Sequence, residues 1–271
     1  MIKVERLENC NIERVLYEDS PSFSGIVAGE CRGQLWVDDI ENPQLAMAFS
    51  FAVGGFSILG EPREEVVYRQ FYNFLILDFF PKLREMNQYY FEFSTECIRM
   101  QEYMLKMFTN RKIESENEYF YRKETKIETK VQIPDEYIIV KVDAKFIAKL
   151  ERGEYINRKF LEERLLESWG SYSNFLNKSV AFVIHHQKRI VAVIIGTARF
   201  HNIIPIDIET VEQHRKKKMA SALTQCFVNE CVDNQLVTQW DCVDSNIASK
   251  KTAEKSGFLL MKKKPYYWFN I

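Results

Sequence analysis

Glycine is the residue whose placement most restricts this chain. There are ten in 271 residues, where average usage of about 7% would give roughly 19. None lies between Gly60 and Gly153, and none between Gly196 and Gly257. A Walker A loop or a G-x-G-x-x-G dinucleotide fingerprint needs clustered glycines for close backbone approach to phosphate, and has nowhere to sit. Most P-loop NTPases and ordinary NAD enzymes are thereby excluded. Cysteine and histidine are equally restrictive. Cys10, Cys31, Cys97, Cys226, Cys231 and Cys242 form no C-x-x-C, and none stands near a histidine in zinc spacing. They read as six reduced thiols. His185 and His186 lie in an alternating run, where neighbours point to opposite strand faces, so one metal site would not use both. No metal centre is expected.

Charge excludes further classes. The 37 Lys+Arg and 38 Asp+Glu leave a net charge of −1, which argues against a nucleic-acid binder or an acidic tail. No apolar run approaches the ~20 residues of a membrane helix, and the N-terminus has no apolar signal core. A soluble cytoplasmic protein, without membrane or nucleic-acid partners, is expected. Oligomeric state has no signature in the sequence.

The apolar pattern predicts strands and helices in alternation, an α/β (α+β) protein in two halves. In the first half, Gly33–Val37 and the apolar run from Leu45 read as strands, and Pro62 as the first residue of a largely apolar helix. Tyr89–Phe93 reads as a strand, with Ser94 or Thr95 capping a helix over 96–108. Residues 111–130 read as a short strand and a linker, and Gln132–Ile133–Pro134 marks the boundary. The halves are thus residues 1–130 and 131–271. In the second half, Tyr137–Val142 is a strand, with helices near 144–151 and 158–168. Val180–Ile184 and Ile190–Ile195 form a hairpin. Ile204–Thr210 is a strand, followed by a helix from about Lys217, the strand Leu236–Val243, and a helix capped from Asp244–Ser245–Asn246 and ended by Gly257. A final strand covers Tyr266–Phe269. Strand, Ser, helix, Phe and a Tyr-rich strand occur in both halves, through Ser94 and Phe108 and again through Ser245 and Phe258. This is either an internal repeat or the likeness any two strand–helix–strand units share.

One stretch carries chemistry. After Ile206–Thr210, Arg215–Lys216–Lys217–Lys218 stands where a helix begins. Orphan N–H groups and the helix dipole already favour an anion there. Cations at a helix N-terminus oppose the dipole, which suits an anionic ligand better than a purely structural role. Read from Ile208 to Ala220, the stretch resembles motif A of the GNAT superfamily of acyl-CoA N-acyltransferases, Q/R-x-x-G-x-G/A after a strand, with Arg215 first and Ala220 last. Asn246–Ile247–Ala248–Ser249 and Ala253–Phe258 resemble the superfamily's N-x-x-S … Y-x-K-x-G-F segment. More narrowly, Trp240–Asp241–Cys242 and Trp169–Gly170–Ser171 … Phe175–Leu176 look like the zwittermicin A resistance type.

The resemblance implies a GNAT-like mixed, twisted sheet flanked by helices, with residues 131–271 as the acetyl-CoA-binding catalytic domain and residues 1–130 as an α/β half, a degenerate GNAT-like repeat. It implies acetyl-CoA as co-substrate, its pyrophosphate on the backbone of Lys216, Lys217, Lys218, Met219, Ala220 and Ser221 beside Arg215. The pantetheine arm would pair along Glu209, Thr210 and Val211, with Asn246 and Ser249 on the arm. It implies transfer of an acetyl group to a primary amine of a small molecule, a metabolite or antibiotic. Asp207 and Glu209 alternate onto one strand face, and either is the candidate catalytic base, unless both are merely solvated. A backbone N–H near Thr210–Val211 would stabilise the oxyanion. Two positions depart from the pattern: Lys218 replaces the motif's first glycine and Ala253 its tyrosine. They favour a rival reading, a GNAT-shaped binding module with weak or lost CoA affinity.

Overall fold

The computed structural model describes residues 1–5 and 11–271. The chain packs as two compact units: residues 1–118 with 264–271, and residues 119–263.

The first unit runs β1 (Ile2–Val4), α1 (Pro21–Val27), β2 (Gly33–Val37), β3 (Ala46–Ser50), β4 (Gly55–Leu59) and α2 (Glu65–Asn73). A π-helical turn, Phe74–Phe79, leads into α3 (Phe80–Glu85), β5 (Tyr90–Thr95) and α4 (Ile98–Met107). β6 (Glu114–Lys123) then crosses into the second unit. That unit holds β7 (Tyr137–Lys141), α5 (Ala144–Glu151), α6 (Lys159–Trp169), α7 (Tyr172–Lys178), β8 (Ala181–His186), β9 (Arg189–Gly196), β10 (Ile203–Thr210), α8 (Met219–Asp233), β11 (Val237–Val243) and α9 (Ile247–Lys255). β12 (Leu259–Asn270) carries the chain back to the first.

The two units repeat one strand order. In the first, β1, β2, β3 and β4 are antiparallel neighbours, β4 is parallel to β5, and β5 pairs antiparallel with β12. In the second, β7, β8, β9 and β10 are antiparallel neighbours, β10 is parallel to β11, and β11 lies beside β6. The expected mixed sheet flanked by helices is therefore present twice. The last strand of each unit comes from the far half of the sequence, so the division runs through strands that no loop composition marks.

Several local expectations change. α2 starts at Glu65, not at Pro62, because Glu64 is extended (φ −102°, ψ 134°) and forms the helix cap. Ser94 and Thr95 belong to β5, where Ser94 Oγ donates to Ser57 Oγ (3.0 Å). The cap of α4 is Cys97, whose sulfur accepts from Met100 N. The last strand begins at Leu259, so the Lys262–Lys264 run lies within it. Asn246 caps α9 as expected, Gly257 ends it at φ 76°, and the two histidines face opposite ways, His185 buried and His186 half-buried. Cys31, Cys97, Cys226, Cys231 and Cys242 are reduced thiols, and Cys10 lies outside the described residues. Among the described residues no helix is long and apolar enough to cross a membrane.

The second unit packs α8 on β8 and β9 through Leu223, Phe227, Ile184, Val191 and Ile194. At the rim of this core the Gly196 carbonyl accepts from Trp169 Nε1 and Ser179 Oγ, both at 2.8 Å. A Cβ on Gly196 would collide with Ser179 Oγ and Ile204 Cγ2. Gly196→Ala should therefore destabilise the protein by about 1–3 kcal/mol, the usual cost of overpacking, read from a urea midpoint. An unchanged midpoint would show that the corner relaxes freely.

Candidate functional site

The site begins where two parallel strands part. β10 is paired with β11 only at Ile203↔Val237, Ile204↔Thr238 and Pro205↔Gln239. From Ile206 to Thr210 its register partners lie on β9 alone. Pro205 stands at the junction and has no N–H for a ladder. Val211 N donates to Val191 O (2.9 Å). By the alternation of an antiparallel pair, the odd-numbered residues of β10 bond to β9, and the amides of Ile208 and Thr210 face the opening toward β11. Of the expected oxyanion donors near Thr210–Val211, the Val211 N–H is taken by β9, which leaves the amides of Thr210 and Ile208.

A groove of about 480 Å³ fills the opening. Of the residues predicted from sequence, Asp207, Glu209, Thr210, Arg215, Ala220, Asn246 and Ser249 line it together. Val211, Lys216, Lys217, Lys218, Met219 and Ser221 are not among its lining. Ile208, Trp240, Ala248 and Thr252 are, and the sequence reading assigned none of them a role at the site. Asn246 Oδ1 accepts from Ser249 N (3.1 Å), which leaves its amide NH₂ as the donor for a ligand. Ser249 Oγ accepts from Trp240 Nε1 (2.8 Å), so its own hydroxyl hydrogen remains to be given.

The turn into α8 has left-handed backbone and no side-chain cap. No side chain caps this fifteen-residue helix, so its first N–H groups are exposed as donors. Lys216 and Lys218 both take the left-handed conformation, at φ 63° and 61°. Lys218 is therefore held in the backbone conformation that glycine takes most readily, with its side chain exposed to solvent. Lys218→Gly should stabilise the protein by about 1 kcal/mol, the relief of a left-handed Cβ less the added freedom of the unfolded chain. A lower melting temperature in that variant would contradict this account.

The other cations of the turn are already engaged. Arg215 Nε donates to Thr210 O (3.1 Å), folding the guanidinium along the strand end. Lys217 Nζ donates to Tyr137 Oη (2.5 Å) and lies 4.9 Å from that ring's centre. Tyr137 Oη is in turn 3.0 Å from His214 Nδ1. Burial, then the charges of Lys217, His186 and Arg189, push the His214 imidazole below its ordinary pKa, which favours the neutral form as acceptor for the tyrosine hydroxyl. The Lys217 side chain thus braces the turn against β7.

The two carboxylates do share one face, and one guanidinium of α6 holds both. Arg164 Nε donates to Asp207 Oδ2 (2.9 Å), Nη2 donates to Glu209 Oε2, and Nη1 donates to Phe160 O (2.7 Å). Both side chains remain about 40% exposed, at 43% and 41%. One oxygen of each is fixed, and the second oxygen of each is left for substrate or water. Ala253 is fully buried against Trp240, Cys242 and Phe258, so its position delivers no group to the groove. In the first unit the equivalent strands do not part. β4 and β5 pair through Ile58↔Thr95, Glu96 N donates to Ile58 O (3.2 Å), and Cys97 Sγ reaches Gly60 O (3.5 Å).

Comparison with known proteins gives the chain's family and fold. The family model described as GNAT acetyltransferase matches residues 16–267. An uncharacterized N-acetyltransferase of Bacillus subtilis, YdfB, is 27% identical over 138 residues, 51% of this chain and 50% of that protein, so the chain spans about half the length of this curated relative. Among solved structures, a GCN5-related N-acetyltransferase-like protein from Streptococcus suis superposes with a TM-score of 0.59 at 19% identity, over 88% of each chain. A tandem GNAT protein from the clavulanic acid biosynthesis pathway gives 0.58 at 9% identity, over 89% of this chain and 83% of that one. At such identities these two likenesses concern the fold.

Proposed function

The chain belongs to the GNAT acetyltransferase family, and from that premise we propose that it is an N-acetyltransferase moving an acetyl group from acetyl-CoA to a primary amine of a small molecule. The observation that carries this reading is the parting of β10 from β11 after Pro205, with strand amides facing a groove that ends on an uncapped helix start. The amides of Ile208 and Thr210 suit an extended pantetheine arm, which would add to the strand edge as a peptide does. The helix start, with Arg215, suits the pyrophosphate. The residues present fit acetyl-CoA, and Lys218 keeps the backbone path that a glycine would take.

The chemistry follows from what the groove offers. An amine with an ordinary pKa near ~10 arrives protonated and must lose a proton before it can attack. The second oxygen of Glu209 or Asp207 accepts that proton, directly or through water. Nitrogen then attacks the thioester carbonyl, the C–N bond forms, the C–S bond breaks, and CoA leaves as thiolate. Charge growing on the carbonyl oxygen is met by a strand amide. Water protonates the thiolate, because Ala253 offers no hydroxyl. The narrower likeness to the zwittermicin A resistance type supports an aminated metabolite or antibiotic as acceptor. The reaction is assigned to the second unit, residues 119–263. The first unit, residues 1–118 with 264–271, whose β4 and β5 stay paired, forms the degenerate copy.

Lys218 and Ala253 also support the rival reading of a binding module that has lost CoA. Thermal-shift titration with acetyl-CoA, with ADP as control, separates the two. At one hundred times Kd a ligand adds about 2.7 kcal/mol of stability, a readily visible rise in melting temperature. A rise with acetyl-CoA and little with ADP is the expected result. No rise at millimolar acetyl-CoA, restored in Lys218→Gly, would establish the binding module instead.

A further inference from the structure

A second cavity, of about 760 Å³, is lined wholly by residues of the first unit and shares none with the groove at β10. Its walls are aromatic. Trp36 of β2, Phe49 of β3 and Phe56 of β4 face it from the sheet, and Phe74 and Phe79 from the helical side. Phe49 and Phe56 lie 4.7 Å apart between centres, while Trp36 and Phe56 each meet Phe79 edge-on, at 5.2 and 5.3 Å. The size and the apolar lining are those of a small-molecule site.

The helical wall is built in an unusual way. Phe74 and Phe79 are the first and last residues of the π-helical turn between α2 and α3. In an α-helix, residues five apart diverge around the axis. The wider turn, closed by i→i+5 bonds, brings them to one face, and their rings lie 5.5 Å apart. Such turns are rare and occur frequently at functional sites. Here the turn aims two rings into one cavity.

Charge at the cavity's edge selects the ligand. Lys3 and Lys82 line it, with Glu85 as the one carboxylate of the lining. Lys3 Nζ lies 5.3 Å from the centre of the Trp36 ring, so this ammonium stands over the aromatic wall. We propose that the cavity binds a planar aromatic monoanion: a carboxylate or sulfonate meets Lys3 and Lys82 while the ring system packs on the aromatic wall of Trp36, Phe49 and Phe74.

The probe pair is 2-naphthoate and its neutral isostere 2-naphthamide, titrated into the full chain by calorimetry and by tryptophan fluorescence, which Trp36 would report. Naphthoate should saturate at one equivalent and bind about tenfold more tightly than the amide. The Lys3→Glu/Lys82→Glu double variant, altered only at exposed positions, should lose that preference with an unchanged melting temperature. Saturating acetyl-CoA should not displace naphthoate. The proposal fails if naphthoate shows no saturable binding at millimolar concentration. It fails equally if acid and amide bind alike, if the double variant keeps the preference, or if acetyl-CoA competes. Because the site lies in the first unit, these readouts are independent of acetyl transfer.

Discussion

Asp207→Asn combined with Glu209→Gln is expected to lower turnover about 10²–10⁴-fold, the range by which a positioned general base accelerates proton transfer. The melting temperature should fall somewhat, because Arg164 loses both of its carboxylate partners, but its response to acetyl-CoA should stay as in the parent, since the replacements touch neither the Ile208 and Thr210 amides nor the start of α8. The effect is large because the groove lining contains no other carboxylate. Arg164 keeps the pair in place by binding one oxygen of each. Single variants then separate the roles: the carboxylate that takes the proton carries the loss. Release of free thiol from acetyl-CoA in the presence of an amine acceptor measures this directly. A double variant turning over at the parental rate would remove both residues from the mechanism.

The second large effect is on stability. In the first unit, Lys264 Nζ donates to Glu96 Oε1, with 8% and 0% of the two side chains exposed. Ser57 Oγ also donates to Glu96 (3.1 Å). Burial, followed by the charges of Glu96 and Glu92, pushes the Glu118 carboxyl above the ordinary range, with Lys264 opposing. Burial raises the Glu92 carboxyl as well. Lys264→Met therefore removes the cation that holds this acidic group together, and should cost about 3–5 kcal/mol, as when one partner of a buried pair is lost. Urea midpoints across a pH series test it. A carboxyl raised in the folded state keeps a proton that the unfolded chain has released. Its contribution is complete below the unfolded value of about 4.3 and is lost as pH rises through the folded value. Glu118→Gln should flatten that decline and be more stable than the parent at neutral pH. If Lys264→Met unfolds at the parental midpoint at every pH, the cluster does not stabilise the unit.

The fold class and one half of the site were legible because their signals are local. Asn246 and Gly257 mark the ends of α9 through backbone chemistry that any helix needs. Asp207 and Glu209 share a face because strand side chains alternate. The turn into α8 is visible through its basic run even without a glycine. What stayed hidden depends on residues far apart in sequence. Arg164 is one basic residue among many on helices, and nothing at positions 160–168 shows that it reaches Asp207 and Glu209. Cys97 displaced Ser94 as a cap because the pull of β-pairing with β4 and β12 extends β5 to Thr95. Lys264 is buried within β12 against Glu96, a carboxylate whose position no local pattern in the lysine run records.

The exchange of closing strands has a consequence for how this protein is made. β5 is finished at Thr95, but its partner on one side is Tyr266–Asn270, synthesised some 170 residues later. Until then the N-terminal sheet carries an open edge of aromatic residues, Tyr90, Phe91 and Phe93, on the growing chain. Open strand edges recruit other chains, and domains otherwise tend to mature one by one during synthesis at about 5–20 residues per second. Here the N-terminal unit cannot close first, so it waits for nearly the whole polypeptide, roughly 10–40 s at those rates. Premature termination would then leave two incomplete units rather than one finished and one missing.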